Sequence, residues 1–143
     1  MVGKRFDPYG VYAVIRFRDW RYGMSMNLGV VGFWEHGFHA TIDERTVNNL
    51  LAMRPDVDEG AFRQHLDDLW EDVGGAEIPL DPFQTYYLLH QYSVTNRDAM
   101  VRLSTLKQVF IGGDQGGIRA CVENLAGIVV YREPAEHAEG WGA

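Results

Sequence analysis

Arg16, Arg18, Asn27 and His39 are the residues of this chain best suited to chemistry. Two arginines two positions apart in an alternating segment put two guanidinium groups on one side of a strand. A guanidinium on a half-buried face requires an anion or a carboxylate. The internal candidates are Asp43, Glu44 and the carboxylates of the helices. The external one is the anion of a ligand or partner, for which arginine is a favoured anchor. With His39 as acid or base, the same group would suit a small enzyme handling a nucleotide or another anionic small molecule. Trp20 and Arg21, followed by Tyr22, occupy the loop between the first two apolar runs, and Trp, Tyr and Arg are the types that anchor protein interfaces. The candidate binding set is therefore Arg16, Arg18, Trp20, Arg21, Asn27 and His39.

No catalytic, metal or cofactor signature accompanies them. His36 and His39 fall on a hairpin loop and a strand, and a metal needs three or four convergent ligands. The run Gly112-Gly113-Asp114-Gln115-Gly116-Gly117 precedes a helix, where phosphate loops occur, but it continues Ile118-Arg119 instead of the Walker Gly-Lys-Ser/Thr, and it lacks the dinucleotide glycine spacing. It reads as a flexible turn. Cys121, the single cysteine, lies on an apolar helical stripe as a small core residue and has no disulfide partner. No Gly-x-Ser-x-Gly turn is present. No catalytic residue, cofactor or metal is assigned.

The chain has 143 residues, 46% hydrophobic and 23% charged, as expected of one folded domain over 1–132 with a polar, glycine-rich and disordered tail over 133–143. No apolar run approaches the roughly 18 residues of a membrane span, and residues 1–8 do not resemble a secretory signal, so a cytoplasmic protein is expected. The formal charge of −7 disfavours nucleic acid, although Trp20, Tyr22, Tyr86, Tyr87 and Tyr92 are types that stack on bases. Charge is uneven: residues 1–25 hold five basic side chains against two acidic, and residues 43–81 hold three against eleven.

Alternation predicts strands over 9–18, 25–34 and 38–43. Val11, Ala13, Ile15 and Phe17 share one side of the first, with Tyr12, Val14, Arg16 and Arg18 opposite. In the second, Met26, Leu28, Val30, Gly32 and Trp34 share a side, with Asn27, Gly29, Val31 and Phe33 opposite. Aligning Ile15 with Leu28 and Trp34 with Phe38 brings the apolar sets together across a meander joined by Glu35-His36-Gly37. Asp43 and Asp58 are expected to cap helices, the second carrying the stripe Phe62, Leu66, Leu69, Trp70 and Val73. Asp81-Pro82 opens a helix to about Tyr92. A strand over 99–104, resuming at 109–111, and a helix bearing Ile118, Cys121, Val122 and Leu125 complete the chain. The fold expected is a two-layer α+β domain, with helices packed on one face of an antiparallel sheet and a polar reverse face.

The run Tyr12-Ala13-Val14-Ile15-Arg16-Phe17, a short loop, and Asn27-Leu28-Gly29-Val30-Val31 resemble the opening of a bacterial family, domain of unknown function 3037. Met100-Val101-Arg102-Leu103-Ser104 and the helix near Leu125 are similar to its C-terminal half. Met24 stands where that pattern carries an acidic residue. Members of the family are often encoded beside kinases related to the HipA toxin. The resemblance thus implies a non-enzymatic interaction or regulatory module with a HipA-like kinase as its protein partner. A homo-oligomer, a small anion-binding enzyme using Arg16, Arg18 and His39, and a nucleic-acid binder are the alternatives.

Overall fold

β-branched and aromatic residues at alternating positions make Tyr9–Asp19 the strand β1. In the computed structural model, which describes residues 9–19, 23–34, 37–74, 82–95, 101–110 and 115–132, every other strand is placed relative to it. β2 (Met24–Trp34) pairs with it antiparallel, and β3 (Gly37–Ile42) extends the sheet beyond β2. Gly23, at φ +64°, makes the turn before β2. On the other side of β1, β4 (Val101–Leu103) pairs with residues 15–17 and β5 (Lys107–Phe110) with residues 9–12. Ser104 bridges the break between them: its N–H donates to the Val14 carbonyl at 2.9 Å, and its hydroxyl accepts the Val14 N–H at 2.7 Å. The ladder thus continues through a side chain where the backbone leaves it.

The antiparallel meander and the α+β class are as the sequence predicts, and so is the first-hairpin register from Arg16 to Arg18, but the rest of the register is not. Trp34 pairs with Gly37 and Phe33 with Phe38, so β3 begins at Gly37 itself. In the first hairpin Ile15 faces Gly29 while Arg16 faces Asn27, which leaves Leu28 as an extra residue on β2. This β-bulge reverses the alternation. Met26 and Leu28 pack on the face that carries Ile15 and Ile42, and beyond the bulge Val31 and Phe33 take over on that face while Val30 turns to the reverse. The Leu28 carbonyl accepts the Asp43 N–H at 2.8 Å. Gly29 is obligatory here, because a Cβ would overlap the Thr41 carbonyl oxygen of β3.

α1 (Glu44–Met53), α2 (Glu59–Gly74) and α3 (Pro82–Thr95) cover the Ile15 face. Asp43 accepts the Thr46 N–H at 3.3 Å and Asp58 the Ala61 N–H at 2.8 Å, satisfying first-turn donors as expected of N-caps. The core on this side holds Phe17, Phe33, Leu50, Phe62, Leu66, Leu69 and Leu89, with Phe17 and Phe62 rings 6.1 Å apart.

A third layer lies on the reverse face, which the two-layer expectation left bare. α4 (Gln115–Ala126) takes Gly116 and Gly117 into its first turn and continues into a π-helical turn (Gly127–Arg132). Val122, Ala126 and Val129 pack on Val14 and Val30, with Tyr12 and Leu125 at the margin. The bulge explains why the sequence pattern hides this: it supplies Val30 to a face that strict alternation makes polar. The expected cap Asp81, the Val73 side chain, Trp20, Arg21, Tyr22, Ile111 and the tail 133–143 lie outside the described residues.

Candidate functional site

The polar end of the reverse face lies on the hairpin side of the bulge. β1 places Arg16 and Arg18 there, and β2 answers with Asn27 opposite Arg16 and Ser25 opposite Arg18. These four side chains mark the corners of a patch with no carboxylate among them. β4 adds Arg102 opposite Arg16, with its Nη1 donating to the Val101 carbonyl at 3.0 Å. Two cations directly opposite in a ladder repel each other.

Asn27 is buried, and its Nδ2 donates to the Val129 carbonyl at 3.1 Å. It therefore ties the π-helical turn to the sheet, and its role is internal. Arg16 is half-buried: its Nε is shielded from water with no acceptor among the described residues, and the guanidinium makes no ion pair there. Arg18 is exposed and Ser25 half-buried. Asp43, proposed from sequence as a partner for these arginines, is engaged as the α1 cap. Glu44 pairs with Arg63 at 2.9 Å.

The structure does not bring His39 to this group. It faces Gly32, five positions along β2 from Asn27, or about 15 Å at the strand rise. An enzyme reading that makes Arg16 hold an anion while His39 moves a proton on the same small ligand does not fit that separation. Trp20 and Arg21 lie outside the described residues. Among the described residues no cluster of His, Cys, Asp or Glu could hold a metal. Cys121 sits half-buried with its Sγ 4.0 Å from the Phe110 carbonyl, and desolvation pushes its thiol up, away from nucleophile character.

Three features escaped the sequence reading. Arg102 alternates with the buried Val101 and Leu103, which was legible, but its position opposite Arg16 required the strand pairing. Arg54 closes α1 and reaches the wholly buried Asp19 at 2.8 Å and Asp56 at 2.7 Å, with its guanidinium also over the Phe17 ring. Hydrogen bonds to Asp56 and then Asp19 hold it charged beyond the ordinary arginine range. His65, buried in α2 against Tyr92 at 5.0 Å, has neither ring nitrogen hydrogen-bonded among the described residues. Desolvation lowers its pKa from 6.5 to about 4, against an opposing pull from Asp68.

A second surface lies across the molecule. α3 carries no charged residue. Its inner side buries Thr85 and Leu89, while its outer side exposes Phe83 at 57%, Tyr87 at 66% and Leu88 at 44%. Phe83 and Tyr87 are one turn apart, and Gln84 and Gln91 complete the exposed arc. Sequence reading identified Tyr87 only as a candidate for stacking and missed the face.

No protein-family model matches the chain, and no curated protein or solved structure does so either. No helix among the described residues is long and apolar enough to cross a membrane.

Proposed function

We propose that the chain is a non-enzymatic interaction module that binds a protein partner through the outer face of α3. The supporting observation is the exposure of Phe83, Tyr87 and Leu88 on a helix without a single charge. Solvent-facing helix surfaces are ordinarily polar, and contiguous apolar ones mark contact sites. Phenylalanine and tyrosine provide large contact areas with few rotatable bonds, as interface anchors do. The resemblance to domain of unknown function 3037 makes a HipA-like kinase encoded alongside the first partner to test, within bacterial cytoplasm.

The experiment is quantitative affinity capture from the native host with the wild-type chain and a Phe83→Ser/Tyr87→Ser variant, both verified by thermal melting, followed by titration of the recovered partner. The reading expects one partner retained by wild type and lost by the variant at unchanged melting temperature. Identical capture by both proteins overturns it. A concentration-dependent increase in mass of the purified wild type, abolished by the variant, replaces the foreign partner with a second copy of this chain.

A further inference from the structure

We propose a second binding site, independent of α3: a phosphate-type oxyanion held by Arg16 and Arg18 on the reverse face of the sheet, with Ser25 as a hydroxyl donor.

Three other arginines of this protein are held by carboxylates. Arg54 is held by Asp19 and Asp56, Arg63 by Glu44 and Glu59, and Arg119 by Glu123. In a chain of net charge −7, carboxylates are plentiful. Yet Arg16 and Arg18 have none among the described residues, and the register sets Arg16 beside a third cation, Arg102. The Arg16 Nε–H is removed from water and has no acceptor among the described residues. A buried donor of this kind is uncommon in folded proteins and points to an acceptor supplied from outside.

The geometry matches a tetrahedral dianion better than a single carboxylate. Arg16 and Arg18 share one side of β1, about 7 Å apart, so their forks can grip different oxygens of one group. The Ser25 hydroxyl, opposite Arg18, can donate to a further oxygen. The amide of Asn27 is occupied by Val129, so it closes the floor of the patch and anchors the π-helical turn beside it. Charge matching favours phosphate because two cations, Arg16 and Arg18, border the space without a carboxylate among the described residues. The ligand class is therefore a phosphate group, either as the free ion or as a phosphomonoester on a small molecule.

The test is isothermal titration and thermal melting of the full chain with inorganic phosphate, with a phosphomonoester of a small alcohol, and with acetate, each against sodium chloride at equal ionic strength. The proposal expects saturable binding and a raised melting temperature with phosphate or its ester and not with acetate or chloride. Arg16→Gln should weaken phosphate binding by roughly tenfold or more, the size of one charge-assisted hydrogen bond, and Arg18→Gln by a similar factor. Arg18 is exposed, so its replacement reads the site without risk to folding. Ser25→Ala should have a smaller effect in the same direction. Tighter binding of the ester than of free phosphate assigns a phosphorylated small molecule, and the reverse order assigns the free ion. No binding beyond the chloride control, or binding that Arg16→Gln and Arg18→Gln both leave intact, overturns the proposal.

Discussion

The two faces of the sheet are built differently. Under α1–α3 the strands present Phe17, Phe33 and Leu28 to Phe62, Leu69 and Leu89, a broad core of large side chains. Beneath α4 and the π-helical turn the contact is Val14 and Val30 on Val122, Ala126 and Val129, a narrow seam of small ones. Charge follows the same division. The arginine at the edge of the first core, Arg54, is tied to a buried aspartate; the arginine beyond the second, Arg16, is tied to nothing among the described residues. The first face is thus closed by its own contacts, whereas the second is closed at one end and at the other carries Arg16 and Arg18 with no carboxylate partner among the described residues. Arg54 is neutralised within the fold, whereas Arg16 has no carboxylate among the described residues, and the proposed anion site rests on that contrast.

Mutations can break or sharpen this contrast. Phe62→Ala removes a wholly buried ring from the broad core and should cost about 3–5 kcal/mol in urea unfolding, while Val122→Ala in the narrow seam should cost about 1–2 kcal/mol. Equal costs would erase the difference between the layers. Arg54→Ala removes an ion-pair partner of the buried Asp19 carboxylate and should cost about 3 kcal/mol, whereas Arg16→Gln should stay within about 0.5 kcal/mol of wild type or stabilise it, because it relieves the repulsion with Arg102. A large loss from Arg16→Gln would reveal an internal partner.

His65 adds a pH test on the first face. Its folded pKa of about 4 lies below the unfolded value of 6.5, so the folded state prefers the neutral ring. Its contribution is therefore complete above pH 6.5 and is lost as pH falls toward 4, reaching about 3 kcal/mol. Comparing His65→Leu with wild type isolates this part of the acid destabilisation. The two stability curves should run parallel above pH 6.5, and the wild type should lose stability relative to the variant as pH falls below it. Parallel curves from pH 7 to pH 4 would mean that the ring is charged or solvated in the fold.

The meander, the caps at Asp43 and Asp58 and the α2 stripe were legible because each rests on local chemistry: alternation, a carboxylate before a helix, a period of 3.6. Ile15, Leu28 and Ile42 share a face, as alternation predicts. The register beyond Leu28 was not legible. A bulge is one extra residue, and nothing in the run Asn27-Leu28-Gly29-Val30-Val31 distinguishes it from a regular strand until Gly29 is seen against Thr41. From that one residue follow the errors about Val30, Val31 and Phe33 and the missing third layer. Arg16 and Arg18 were identifiable as candidates from type and spacing. Their lack of partners, the neighbouring Ser25 and Arg102 and the distance of His39 all depend on pairing between strands. The α3 surface was hidden for a different reason: apolar residues all round a helix predict burial, and only the position of α3 reveals which of them remain outside.

Methyl NOE spectroscopy on the Val, Leu and Ile side chains tests the two-faced sheet most directly. The account predicts cross-peaks from Val30 methyls to Val122 and Ala126 of α4, and from Val31 methyls to the core of α1–α3 and not to α4. Cross-peaks from Val30 to that larger core and from Val31 to α4 would restore unbroken alternation. They would contradict the bulge and the two-faced sheet that follows from it.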